Sequence, residues 1–143
     1  MSSKLSRLDF LRFSALGASA LILPRSVTAA MAPKKAKKGD VNDLINIAFI
    51  GLGQQAIYLM SGFITIPNVR VVAGCDVYDI KRERFQNRVN KYYADQGIKN
   101  KLDMYIRYEE VLAREDIDAV VIATPDHQHA IIAIAACRAG KDV

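Results

Sequence analysis

Cysteine is scarce in this chain of 143 residues: Cys75 and Cys137 stand alone, far apart. No Cys-x-x-Cys pair or Cys/His cluster occurs, which removes zinc-ribbon and dithiol chemistry. Both thiols fall in apolar surroundings and are expected as small core residues, with no disulfide between them. The chain also lacks a run of about twenty apolar residues, so no membrane-spanning helix is expected. Internal repeats are absent. There are only two histidines, His127 and His129. Two positions apart on a helix, they point about 200° away from each other and cannot share one ion. No metal is expected.

The formal charge of +5 is unevenly spread. Residues 1–39 hold eight Lys/Arg and one acid, Asp9; the rest hold twelve Lys/Arg and fourteen Asp/Glu. The part able to fold is therefore slightly acidic, which argues against a nucleic-acid partner.

The basic excess belongs to the first forty residues. Ser6-Arg7-Leu8-Asp9-Phe10-Leu11-Arg12 precedes a short apolar stretch, Phe13–Leu23, and small residues at Thr28-Ala29-Ala30. That order describes a cleavable export signal. It resembles a twin-arginine leader, with Leu8 where the second arginine would stand and Arg12 in place of the usual lysine. The alternative is an amphipathic helix or a disordered tail. Residues 1–32 are expected to be the leader and 33–43, rich in lysine, a solvated linker. The expected location is periplasmic or exported; without a working leader it is cytoplasmic.

From Leu44 the pattern changes. Leu44–Ile50 is nearly all apolar, as for a strand buried on both faces of a parallel sheet. A glycine turn and a helix to about Ile64 follow, then a second strand, Val69–Cys75. Asp79 is expected to cap a helix reaching about Gln96, with Phe85, Val89, Tyr92 and Tyr93 on its apolar face. Arg82, Glu83, Asn87 and Lys91 would then face water. Further elements are expected at Met104–Ile106 (strand), Glu109–Arg114 (helix), Ala119–Ala123 (strand) and His129–Ala139 (helix), with a fifth strand beginning at Val143. Alternation on this scale predicts an α/β fold with a doubly wound parallel sheet.

The chemistry gathers after the strands. Gly51-Leu52-Gly53-Gln54-Gln55-Ala56 is a Gly-x-Gly-x-x-Ala run directly behind the first strand. Gly51 permits the tight turn, Gly53 leaves room for a pyrophosphate, and Ala56 lets helix and sheet pack closely. Free N–H groups at Gln54 and Gln55 suit phosphate oxygens. Asp76 ends the second strand about twenty residues later, where a Rossmann domain keeps the acid that accepts from a ribose hydroxyl. That carboxylate would repel a 2′-phosphate, so NAD is the expected cofactor, with NADP as the alternative. Arg82, with Lys81 and Arg84, could meet a phosphate or adenine, or form a solvated helix face. Thr124 and Pro125 follow the fourth strand and belong near the nicotinamide half. His129 is a polar group at a helix start beside the cofactor, while His127 reads as a surface histidine. A methyltransferase shares the glycine turn and the acid; Thr124-Pro125 argues against it.

These residues carry a resemblance. Gly51-Leu52-Gly53, Cys75-Asp76-Val77, the segment from Ala123-Thr124-Pro125 to His129-Ala130, and Ala139-Gly140-Lys141-Asp142-Val143 together resemble the glucose–fructose oxidoreductase/inositol dehydrogenase (Gfo/Idh/MocA) family. The likeness covers 44–143. It implies an NAD(P)-binding Rossmann domain in which Thr124, Pro125 and His129 line the nicotinamide side. It implies an oxidoreductase acting on a sugar, cyclitol or related polyol, or an NAD-dependent glycoside hydrolase of the same superfamily. The catalytic lysine motif and substrate domain of the family would follow Val143. The expectation is thus a truncated Rossmann domain that binds dinucleotide without catalysis, a non-catalytic fragment being the other reading. No catalytic residue is assigned, and a carbohydrate substrate and oligomer are expected only of a full-length parent.

Overall fold

The computed structural model describes residues 44–143; the expected leader and linker lie outside them. Eight elements alternate: β1 (Ile45–Ile50), α1 (Gln54–Phe63), β2 (Val69–Cys75), α2 (Asp79–Asp95), β3 (Asp103–Tyr105), α3 (Tyr108–Leu112), β4 (Ala119–Ile122) and α4 (Asp126–Arg138). The four strands form one parallel sheet in the order β3-β2-β1-β4. The doubly wound α/β architecture follows from the sequence as expected.

Alternation along β1 explains the two layers. Ile47 and Phe49 face one side, where Ala56, Ile57 and Met60 of α1 and Phe85, Val89 and Tyr93 of α2 complete a buried cluster. Ala48 and Ile50 face the other side, against Val111 and Leu112 of α3 and Ile132 and Ala136 of α4. A strand with apolar side chains on both faces needs helices on both, and that covering fixes the parallel sheet. Ala56 is fully buried.

β2 carries one irregularity. Ile47 pairs with Val71 but Ala48 pairs with Ala73, so Val72 is an extra residue. Side chains take up the main-chain groups that this frees. Val71 donates its N–H to the Tyr93 hydroxyl at 3.0 Å and accepts from Asn100 Nδ2 at 2.9 Å. Arg114 reaches the Val72 carbonyl from α3's end, and its guanidinium also pairs with Asp103 and Asp116. Its hydrogen bond holds Asp116 below the usual carboxylate range.

Several local expectations are corrected. Asp79 is the first residue of α2 rather than its cap, and its side chain pairs with Arg82. Arg82 does not face water: its side chain is 14% exposed and folds back onto the Asp76 carbonyl. β3 and α3 each begin one residue early, at Asp103 and Tyr108, and α4 begins three early, at Asp126. Only Ile132 and Ala136 of α4 are buried; Cys137 lies off that stripe and is exposed, unlike Cys75. The fifth-strand pairing starts at Asp142, which bridges Ala119, one residue ahead of Val143. Lys141 is buried and donates to the carbonyls of Arg114 and Ile117. No helix among the described residues is long and apolar enough to cross a membrane.

Candidate dinucleotide site

The strand order reverses between β1 and β4, since the chain runs outward from β1 through β2 to β3 and then returns to its other side. Ligands of open α/β sheets lie beyond the carboxyl ends of strands at such a reversal. A cleft of about 510 Å³ occupies that place. Its wall takes Gly51 from just after β1, Cys75 and Asp76 from the end of β2 and the residue after it, Thr124 and Pro125 from the turn between β4 and α4, and His127 and Gln128 from α4. The far side is made by Tyr78, Lys81 and residues Ile106 to Glu109.

The two glycines differ in what requires them. Gly51 has φ +85°, and a Cβ there would lie 2.8 Å from the Ala123 carbonyl carbon and oxygen and 2.9 Å from Thr124 Cγ2. Its own chain demands glycine. Gly53 has an ordinary φ of −70°, and a Cβ there would meet nothing within 4 Å. Nothing inside the chain demands glycine at 53, so the open space beside it suits a ligand's backbone-close approach.

Between them, Leu52 is held firmly. Its side chain is fully buried. Its N–H donates to Asp76 Oδ2 at 2.8 Å, and its carbonyl accepts from Arg84 Nη2 at 2.9 Å. Asp76 Oδ1 accepts from the Tyr78 N–H at 3.0 Å, and Lys81 Nζ stands 3.8 Å from Oδ2. Asp76 is only 9% exposed, yet two ionised oxygens offer about four acceptor positions and these amides use two. A ribose hydroxyl can still be accepted.

α1 opens at Gln54 with Gly53 as its N-cap, no side-chain cap and no acid in its first turn. Its first intrahelical bond runs from the Ile57 N–H to Gly53, leaving the preceding N–H groups without helical acceptors. A pyrophosphate fits that end of the helix. Thr124 Oγ1 is the one buried side-chain polar atom among the described residues with no hydrogen-bond partner. Burial pushes the Cys75 thiol up to about 12, aided by the neighbouring Asp76 charge, so it stays neutral.

The predicted residues thus divide. Gly51, Asp76, Thr124 and Pro125 meet on the cleft wall. Gly53, Gln54, Gln55 and Ala56 form the turn and helix start beside it, and Arg82 acts on the Asp76 carbonyl. His129 is exposed on the first turn of α4 and is not on the wall, whereas His127, read as a surface residue, is. The early start of α4 accounts for that exchange. Sequence reasoning passed over the Arg84–Leu52 contact and the Ile106–Glu109 wall, because neither shows in spacing or residue type. No group of three metal-ligating side chains occurs among the described residues.

Comparison with known proteins decides the family. Residues 45–143 match the Gfo/Idh/MocA family model, described as "Oxidoreductase family, NAD-binding Rossmann fold". The chain belongs to this family. A curated relative, glycosyl hydrolase family 109 protein 2 of Shewanella sp. (strain ANA-3), is 31% identical over 150 residues, covering 97% of this chain and 32% of the relative. Among solved structures, a 3-ketoreductase from Actinomadura kijaniata in complex with NADP and TDP-benzene superposes with a TM-score of 0.58 at 25% identity. That match covers 69% of this chain and 27% of the other. Scyllo-inositol dehydrogenase from Lactobacillus casei, with bound NAD(H) and scyllo-inositol, shares the fold at TM-score 0.58 and 21% identity, over 69% of this chain and 26% of that one. This Gfo/Idh/MocA chain therefore carries an NAD(P)-binding Rossmann domain, and spans about a third of the curated relative's length.

Proposed function

We propose that this domain serves an NAD-linked oxidoreductase acting on a sugar, cyclitol or related polyol, and that it selects NAD over NADP. The observation that carries the cofactor choice is Asp76: an anionic side chain at the end of β2, fixed by two main-chain N–H groups and facing the cleft. A fixed carboxylate rewards a 2′-hydroxyl and opposes a 2′-phosphate. In this reading the Gly51–Ala56 turn receives the pyrophosphate. Thr124 and Pro125 attend the nicotinamide side, where the bound cofactor would accept or give a hydride. In this reading the domain supplies the dinucleotide site, and it corresponds to about a third of the curated relative's length. Calorimetric titration of the chain with NAD and NADP tests the first part: equal affinity for both would overturn the choice.

The curated relatives favour a second reading, in which the dinucleotide serves a glycoside hydrolase. A protein joining this domain to the remaining two-thirds found in the relatives separates the two. Net NADH formed from a free sugar supports the dehydrogenase; sugar released from a glycoside with no net NADH supports the hydrolase. We also propose export through the leader at 1–32. A reporter fused behind it that stays cytoplasmic would refute this, and Leu8→Arg should raise export through the twin-arginine route.

A further inference from the structure

We propose that Arg84 is a positioning residue for the dinucleotide: it acts through the Leu52 carbonyl to hold the glycine turn in the shape that receives phosphate. The inference rests on the dinucleotide reading above. Leu52 lies between the two turn glycines, where main-chain rotation is least hindered. Both of its main-chain polar groups are taken by side chains from β2's end and α2. Asp76 fixes the peptide before Leu52 and Arg84 fixes the peptide after it, whose nitrogen belongs to Gly53. That second peptide sets the direction of the Gly53 N–H and the entry into α1. Gly53 has no packing neighbour where a side chain would be, and the helix holds its carbonyl but not its N–H. Arg84 supplies the missing constraint from 32 residues away. A charged donor on a carbonyl is among the stronger hydrogen bonds, and it can be lost without emptying any core position, because Arg84 is an exposed residue.

The test uses the whole chain and four measurements of affinity: NADH and adenosine, each against the parent chain and Arg84→Met. NADH affinity should fall roughly tenfold or more. Adenosine, which has the ribose and base but no phosphate, should change less than about twofold. Arg84→Lys, which keeps a charged donor of similar reach, should restore NADH binding to within about threefold of the parent. The ratio of parent to Arg84→Met affinity should hold between low and moderate salt. A ratio that collapses as salt rises would mean that Arg84 meets the phosphates directly, and would overturn the positioning role. Unchanged NADH binding in Arg84→Met overturns the proposal alone, and parallel loss of adenosine reduces Arg84 to a structural residue. A parent chain that binds no NADH removes the dinucleotide reading and this proposal together. Should Arg84→Met fail to fold, Arg84→Ala carries the same expectations.

Discussion

The Tyr93 hydroxyl accepts the main-chain N–H of Val71 at 3.0 Å, joining the last turns of α2 to the irregular middle of β2. Both residues are buried. Removing the oxygen leaves a buried donor with no partner, which costs about 1–3 kcal/mol. Tyr93→Phe should therefore lower unfolding stability by that amount in urea melts, with NADH affinity unchanged in the folded fraction.

Gly51 and Gly53 should separate stability from binding. Gly51→Ala forces a side chain into a positive φ and against the Ala123 carbonyl, so a loss of roughly 1–3 kcal/mol from the backbone alone is expected. Gly53→Ala meets neither obstacle and should stay within about 1 kcal/mol of the parent. It should nevertheless weaken NADH binding, since the new methyl fills the space beside the turn. Melting curves and titrations of the two variants check the pair; a Gly53→Ala chain that binds NADH normally would contradict the approach of phosphate to that position.

Asp76→Ala should reduce NAD affinity roughly ten- to hundredfold, the equivalent of one charge-assisted hydrogen bond. NADP should lose much less, so the preference between the two narrows. Stability should fall as well, because the Leu52 and Tyr78 N–H groups lose their acceptor. Isothermal titration with both dinucleotides measures the change in ratio.

The Cys75 thiol, raised by burial from 9.0 to about 12, has a signed pH consequence. In the unfolded chain it ionises near the ordinary value, whereas in the fold it stays neutral longer. Its contribution to stability is complete below pH 9.0 and is lost as pH rises through about 12. Urea melts of the parent chain and Cys75→Ala at pH 8 and pH 10.5 should show the larger alkaline loss in the parent. At pH 8 a thiol reagent should titrate one group in the native chain, Cys137, and two after denaturation.

The parts of the fold legible in the sequence are those set by local chemistry. Apolar runs at β1, β2 and β4, the stop at Gly97 with φ +66°, and the helical spacing of Phe85, Val89 and Tyr93 mark elements and inward faces directly. Gly51 and Asp76 were legible because turn and ribose chemistry need those residue types at that separation. Contacts that cross the sheet were not. Arg82 and Arg84 look like solvated helix residues in a sequence, and only the approach of α2 to the ends of β1 and β2 turns them onto carbonyls. Cys137 looked buried because α4 is apolar all round, while packing used only the stripe through Ile132 and Ala136. Lys141 shows the reverse case. A charged residue in a motif-like run is buried at the opposite end of the sheet from the cleft, bonded to two loop carbonyls.

Val72 gives the site its handedness of approach. Side chains in a strand alternate, so one surplus residue reverses parity for everything downstream. Val71 packs with the α1 and α2 layer, yet Ala73 and Cys75 pack with α3 and α4. Carried one step past Cys75, the reversed count turns Asp76 back toward the layer that holds Leu52. A β2 paired without this irregularity would set Val72 opposite Ala48 and aim the carboxylate at the wrong side of the sheet. The irregularity that leaves Val72 unpaired is thus what brings the acid and the glycine turn into register.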